Sequence, residues 1–533
     1  MGARGFKRGL GAAMALALGA MVMPSPQPAA TAGPVRGAVS TVGGVVKVVT
    51  GVLGLGGAGW DDTTTTPPTR IDQVVRAVGA DQLWLSGYDG GGVGVALIDS
   101  GVAPVDGLDG QGKVISGPDL SFESQVPGDE HLDGFGHGTH MAGIIAGRDG
   151  VGGSFRGVAP GAHLLSLKVA SHDGAADVSQ MLAAINWVIE HKDDTGLNIR
   201  VLNLSFGTDS VQPSLVDPLA YAVETAWANG IVVVVAGGND GTTRAALTDP
   251  AIDPYVIAVG ASDLHATNDT SDDSVADFSS RGSTNRSVDV VAPGVSIASL
   301  RVPGSQIDQN HPSAVVDDRF FRGSGTSQAT AVMAGAVADL LSARPSLTPD
   351  EVKAVFRATA ASLPNADLRA QGAGQVNVWR AIHAPVPATA TQSFAAATGT
   401  GSLEQARGTG HVADGVTELT GEQDIFGQPW VPAVWAPATA AGTTWSGGVW
   451  NGVEWTGGCW CTDDPSGGAW TGSSWQGKSW TGKSWTNSTW AGNSWTSAQP
   501  QGKSWTGKSW TGAAWTGKSW TGTSWTGKSW TSS

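Results

Sequence analysis

Val93-Gly-Val-Ala-Leu-Ile-Asp99-Ser-Gly101 is an apolar run of strand length that ends abruptly in a carboxylate, a hydroxyl and a glycine. Its residues do not alternate between polar and apolar, so the strand is buried on both faces, as in a parallel sheet covered by helices. His163–Val169, Val201–Leu204, Ile231–Val235 and Tyr255–Val259 repeat the pattern. Between them come helical periods at Val178–His191, Leu215–Ala228 (with Gly230 close behind as a stop) and Gln328–Ala343. Thr348-Pro-Asp-Glu351 reads as a capping box with proline at the first helical position, so another helix starts there. Strands alternating with helices predict an α/β domain over 70–385 with a mostly parallel central sheet between helical layers.

The flanks read differently. Arg4, Lys7 and Arg8 precede an apolar stretch from Leu10 to Met23, and Ala30-Thr31-Ala32 fits the small-residue cleavage rule. Residues 1–32 are therefore expected to be a signal peptide, since the apolar run is short for a membrane span of about 20 residues. Residues 33–69, Gly/Val-rich and closing on Thr63-Thr-Thr-Thr66-Pro67-Pro68, are expected to be a short prosegment and linker. Residues 386–429 are rich in Ala, Thr, Pro and Gly and read as a second linker. From 430 to 533 tryptophan recurs every five residues, from Trp430 to Trp530; the unfilled places hold Ala440, Pro465 and Pro500 without a change of phase. Cys459 and Cys461 both lie in this tail, so the domain is expected to stand without disulfides. The net charge of −15 argues against nucleic acid as a partner.

Four glycine-rich turns carry chemical groups. Asp99 ends the opening strand, where functional groups of parallel sheets gather, although an Asp before Gly also makes an ordinary turn. Gly136-His137-Gly-Thr-His140-Met-Ala-Gly143 brings backbone close to His137 at the start of an apolar helix. His137 and His140 share a helix face with Asp133 one turn earlier, but the glutamate of a zinc-protease helix is missing. Asn239, after Ala236-Gly-Gly238, suits a left-handed turn or an oxyanion donor. Ser327, in Gly323-Ser-Gly-Thr-Ser327-Gln328-Ala329, suits a helix cap, or a nucleophile facing the positive end of a helix dipole.

Taken together, with Asp, His and Ser in that chain order, these segments resemble the subtilisin-like serine peptidases from about residue 75 to 385. Gly157-Val-Ala-Pro-Gly-Ala162, Val201-Leu-Asn-Leu-Ser-Phe-Gly207, Phe278-Ser-Ser-Arg-Gly282 and Val291-Ala-Pro-Gly294 add to the resemblance. It implies the subtilisin-like three-layer fold and an Asp99–His137–Ser327 triad with Asn239 in the oxyanion hole. Ser205, Phe206 and Gly207 would be the substrate-binding segment, and protein or peptide the substrate. No cofactor is needed for that chemistry. Structural calcium is common in the family, and Asp106, Asp109 and the acidic stretch 268–277 offer oxygens without an assignable ligand set. The expected product is a secreted endopeptidase. An exopeptidase of the same fold, or an inactive scaffold serving as a wall-binding protein, are the alternatives.

The tail, approximately Trp-Thr-Gly-Lys-Ser repeated, fits neither a straight strand nor a helix, because five matches neither period. A solenoid with one tryptophan per short side and a flexible chain of aromatic and cationic groups both remain open. Either is expected to attach the protein to the cell envelope or to a polysaccharide, or else to serve as a low-complexity spacer.

Two positions depart from the family pattern. Gln328 follows the serine where methionine is frequent, and Ala331 replaces a proline. An amide cannot form a sulfoxide. Hydrolysis by this protein is therefore expected to survive mild peroxide, and oxidation of active-site groups with rapid loss of activity would contradict this.

Overall fold

The computed structural model describes residues 59–60, 67–124, 131–150, 153–364, 366–414, 417–446 and 448–455, with short backbone strands further on. The expected signal peptide, most of the expected prosegment and the two cysteines lie outside the described residues.

After helices α1 (Ile71–Val78) and α2 (Ala80–Leu85), strands β1 (Gly94–Asp99), β2 (Val114–Asp119), β3 (His163–Lys168), β4 (Ile199–Leu204), β5 (Val232–Ala236), β6 (Ile257–Asp263), β7 (Ser274–Val275) and β8 (Val290–Pro293) form one sheet. Its order is β2-β3-β1-β4-β5-β6, with β8 parallel and the two-residue β7 antiparallel on β6. All the other pairings are parallel. Every residue of β1 and β5 is buried, as their unbroken apolar runs require. Helices α3 (His137–Ala146), α4 (Val178–His191), α5 (Pro218–Ala228), α6 (Gln306–Asn310), α7 (Thr326–Ala343) and α8 (Pro349–Thr359) complete the domain, with a hairpin of β9 (Ile297–Leu300) and β10 (Phe320–Gly323). The sheet lies between two helical layers, in one of which α3 packs on α7 and in the other α4 on α5.

The helix ends follow their local chemistry. Thr348 Oγ1 accepts from Glu351 N, while Glu351 Oε2 accepts from Thr348 N at 2.8 Å, so the predicted capping box closes α8. Helix α5 begins later than its apolar period suggests. Asp217 accepts from Leu219 N and Ala220 N, and Pro218 takes the first helical position, so Leu215 and Val216 stay outside.

Residues 386–455, whose composition reads as linker and first repeats, lie against α4 and α5. Trp430, Trp435, Trp445 and Trp450 are buried in the main core. The indoles of Trp435 and Trp450 both donate to Asn186 Oδ1, and that of Trp445 donates to Ala183 O. Arg407, fully buried, pairs with Asp177 at 2.6 Å, the residue that caps α4. Small residues let this extension lie flat, and its tryptophans supply the burial that Ala, Thr and Gly lack. Composition alone reports the flexibility of such a chain and not the apolar helix face that receives it.

The five-residue period here makes two-residue strands. Trp445 pairs with Trp450 and Val449 with Glu454, both antiparallel. Further on, Ser504 lies opposite Ser519 and Ser509 opposite Ser524 in parallel register, three repeats apart in each case.

Trp435→Ala should remove one of the two fully buried indoles of the extension and leave Asn186 with one donor fewer. A loss of about 3–5 kcal/mol in denaturant unfolding is expected, and an unchanged midpoint would show that the extension adds nothing to the core.

Candidate active site

Strands β1, β4 and β5 are neighbours, and the chain leaves their carboxyl ends at Asp99, Ser205 and Gly237. This edge adjoins the point where the sheet order reverses, which is where open α/β sheets hold their ligands. Helices α3 and α7, packed together, bring His137 and Ser327 to their N-terminal ends.

His137 is the first residue of α3 and is 2% exposed. Its Nδ1 lies 2.8 Å and 2.9 Å from the two carboxylate oxygens of Asp99. Asp99, also buried, receives Ser100 N at 2.8 Å. Behind the pair stands a network that the sequence reading did not assign. Asp133 accepts from Gly136 N at 2.6 Å, from Thr139 N at 2.7 Å and from Ser100 Oγ at 2.8 Å, and Gly138 N donates to Ser100 Oγ at 2.9 Å. Asp133 and Ser100 thus satisfy the free N–H groups of the α3 N-terminus, and the helix start is fixed to the turn after β1. Burial pushes the Asp133 carboxyl above its usual range, against the pull of these donors. The available signal was an Asp three residues before Gly136, in the spacing of a turn that receives backbone donors.

Glycine is required where backbone meets backbone. A Cβ on Gly138 would lie 2.1 Å from Gly101 O, and Gly136 takes a φ of 104°. His140, the second histidine of the motif, joins no cluster of metal-ligating side chains among the described residues. Its Nε2 meets Phe321 O at 3.0 Å, and burial together with the neighbouring His137 pushes its pKa down to about 3.

Ser327 is the second residue of α7, and the N-cap position belongs to Gly325. Ser327 Oγ lies 3.5 Å from Ser205 O, while Ser205 Oγ donates to Ser327 O at 3.3 Å. The capping acceptor comes from another strand: Asn239 Oδ1 receives Thr326 N at 2.8 Å and Thr326 Oγ1 at 2.9 Å. The amide oxygen of Asn239 is thus held by the residue before Ser327. Thr326 also receives Gly238 N on its hydroxyl at 3.3 Å, so Thr326 locks the Asn239 turn to the helix.

Ser205, Phe206 and Gly207 leave β4 beside Ser327, but the ring of Phe206 is 2% exposed and belongs to the core. Gly207 faces Thr248, whose Oγ1 would lie 2.6 Å from a Cβ there. The C-terminal extension props the following loop, since Thr208 Oγ1 donates to Ala406 O at 2.6 Å. In the acidic stretch, Asp269 accepts from Ser271 N and Asp272 from Thr267 Oγ1, within their own loop. Among the described residues no three His, Cys, Asp or Glu side chains converge as a metal group.

The profile of the subtilase family matches residues 90–374, which span every element of this site. This chain belongs to the subtilase family. The serine protease AprX of Bacillus subtilis is 38% identical over 58% of this subtilase and 71% of its own length. Subtilisin DY of Bacillus licheniformis is 36% identical over 57% of this chain and 96% of its own. Among solved structures, fervidolysin from Fervidobacterium pennivorans, described as a keratinolytic enzyme related to subtilisin, matches at 29% identity and a TM-score of 0.47, over 59% of this subtilase and 46% of its own chain.

Asp133→Ala would leave the buried Gly136 N and Thr139 N without an acceptor at the base of α3. A loss of about 2–4 kcal/mol is expected, measured by urea unfolding, and an unperturbed variant would mean that Gly136 N and Thr139 N find other partners.

Proposed function

We propose that this subtilase is an exported serine endopeptidase that acts through an acyl-enzyme. The observation that carries the reading is the grip of both Asp99 oxygens on His137 Nδ1. That contact places the proton on Nδ1 and leaves Nε2 as the base. Ser327 Oγ attacks the scissile carbonyl as His137 takes its proton. The carbonyl oxygen gains charge and is met by the Asn239 NH₂ and by Ser327 N at the start of α7. His137 then delivers the proton to the departing amine, and water repeats the sequence to release the acid. Asp99 stabilises the imidazolium throughout without being protonated itself. An extended substrate adds main-chain hydrogen bonds along Ser205–Gly207. None of these steps draws on a metal.

The N-terminal basic and apolar pattern supports export. The tail is proposed to hold the enzyme to the cell envelope or a polysaccharide. Since Trp430 to Trp450 are spent on the core, this role falls to the later repeats, with Lys478, Lys483, Lys503, Lys508, Lys518 and Lys528. Rings would stack on sugars, and lysines would meet anionic polymers.

Ser327→Ala is expected to lower kcat on an unfolded protein by about 10⁴-fold or more, and Asn239→Ala by about 10²–10³-fold. Equal rates for wild type and Ser327→Ala would refute the assignment and favour a binding protein on a protease scaffold. For the tail, a fusion carrying residues 456–533 should sediment with cell walls and be released by salt. Failure to sediment would leave it a spacer.

A further inference from the structure

Trp60 lies outside the domain predicted from sequence, yet it is 4% exposed and rests against the active site. Its indole meets His137 edge-on at 6.0 Å between ring centroids and His140 edge-on at 5.2 Å, and it tilts across Phe321 at 5.6 Å. The remaining wall is Gly323. A Cβ on that residue would lie 2.5 Å from Trp60 Cζ3 and 2.6 Å from Gln328 Nε2, so the missing side chain makes the room that the indole occupies. Just before it, Gly59 O accepts from Ser324 N at 3.2 Å, a main-chain hydrogen bond to the segment that carries the nucleophile. An indole anchored in a pocket with one backbone hydrogen bond beside it is how a peptide ligand is held in a cleft.

The chemistry of the walls selects the occupant. His140 is neutral around physiological pH, so its ring offers an apolar face and edge without charge. Edge-to-face packing against two rings and tilted contact with a third favour an aromatic guest over an aliphatic one. The pocket is built from the start of α3, from β10 and from the residues before α7. The acyl half of the cleft, under the proposed mechanism, is built instead from Ser205–Gly207 and Asn239. The pocket therefore flanks His137 on the half where the departing amine receives its proton.

We propose that the chamber between His137, His140, Phe321 and Gly323 is a subsite for a large aromatic side chain on the leaving-group half of a peptide substrate, occupied in this chain by Trp60. The assignment to a substrate half rests on the triad reading above; the aromatic pocket itself does not. Trp60 and an aromatic substrate residue compete for one place.

The test uses the full chain carrying Ser327→Ala, which cannot cut itself, and N-acetyl-tryptophanamide as the probe, with binding followed by NMR titration. Replacing Trp60 by Ala in that background should tighten binding at least about tenfold. Adding Gly323→Val, whose side chain fills the pocket, should abolish the gain. Equal binding with and without Trp60, or a gain that survives Gly323→Val, would overturn the proposal. Trp60→Leu preserves most of the bulk should the alanine variant fail to fold. In an otherwise active chain, Trp60→Ala should release peptides from an unfolded protein that carry aromatic residues at the first two positions after the cut about threefold more often than wild-type products. No enrichment would equally overturn the subsite. Absence of hydrolysis by wild type and variant alike would instead count against the triad, since the tryptophanamide titration needs no turnover.

Discussion

The site depends on one close approach, that of the first turn of α3 to the turn after β1. Gly138 lies against Gly101 with no space for a side chain between them, and the same contact brings His137 onto Asp99. Any β-carbon there would separate the helix from the sheet and pull Nδ1 away from the carboxylate. Asp133 and Ser100 hold this contact by taking up the N–H groups that the helix start exposes. A buried carboxylate with three donors tolerates little displacement, because each lost partner leaves a desolvated group behind.

A second lock aligns the other half. Asn239 reaches across from the end of β5 to cap α7 through Thr326, so the residue proposed for the oxyanion hole is also the residue that fixes where the serine helix begins. The positions of Ser327 and of the Asn239 side chain are set by the same hydrogen bonds to Thr326, and neither can drift without the other.

The C-terminal extension broadens the domain beyond its sheet. Trp430, Trp435, Trp445 and Trp450 of the repeat enter the core. The apolar face of α4 and α5 receives them, with Asn186 and Ala183 accepting from indoles and Glu190 from Thr444. The same extension supports the loop after Ser205–Gly207, so the tail-side sequence reaches the cleft through the loop that borders it.

The sequence by itself determined the parallel strands, the limits of α4 and the capping box of α8, because buried strands, apolar periods and caps are local patterns. It also marked Asp99, His137, Asn239 and Ser327, since glycine-rich turns at strand and helix ends announce close backbone approach. Only the tertiary structure decided that Asn239 and not Ser327 meets the start of α7, that the Phe206 ring is core, and that residues 386–455 are part of the domain. Those outcomes depend on which surfaces meet across long sequence separations, as does Trp60 beside His137. A single tryptophan between glycine and aspartate carries no sign of its pocket, which exists only where Gly323 leaves space for it.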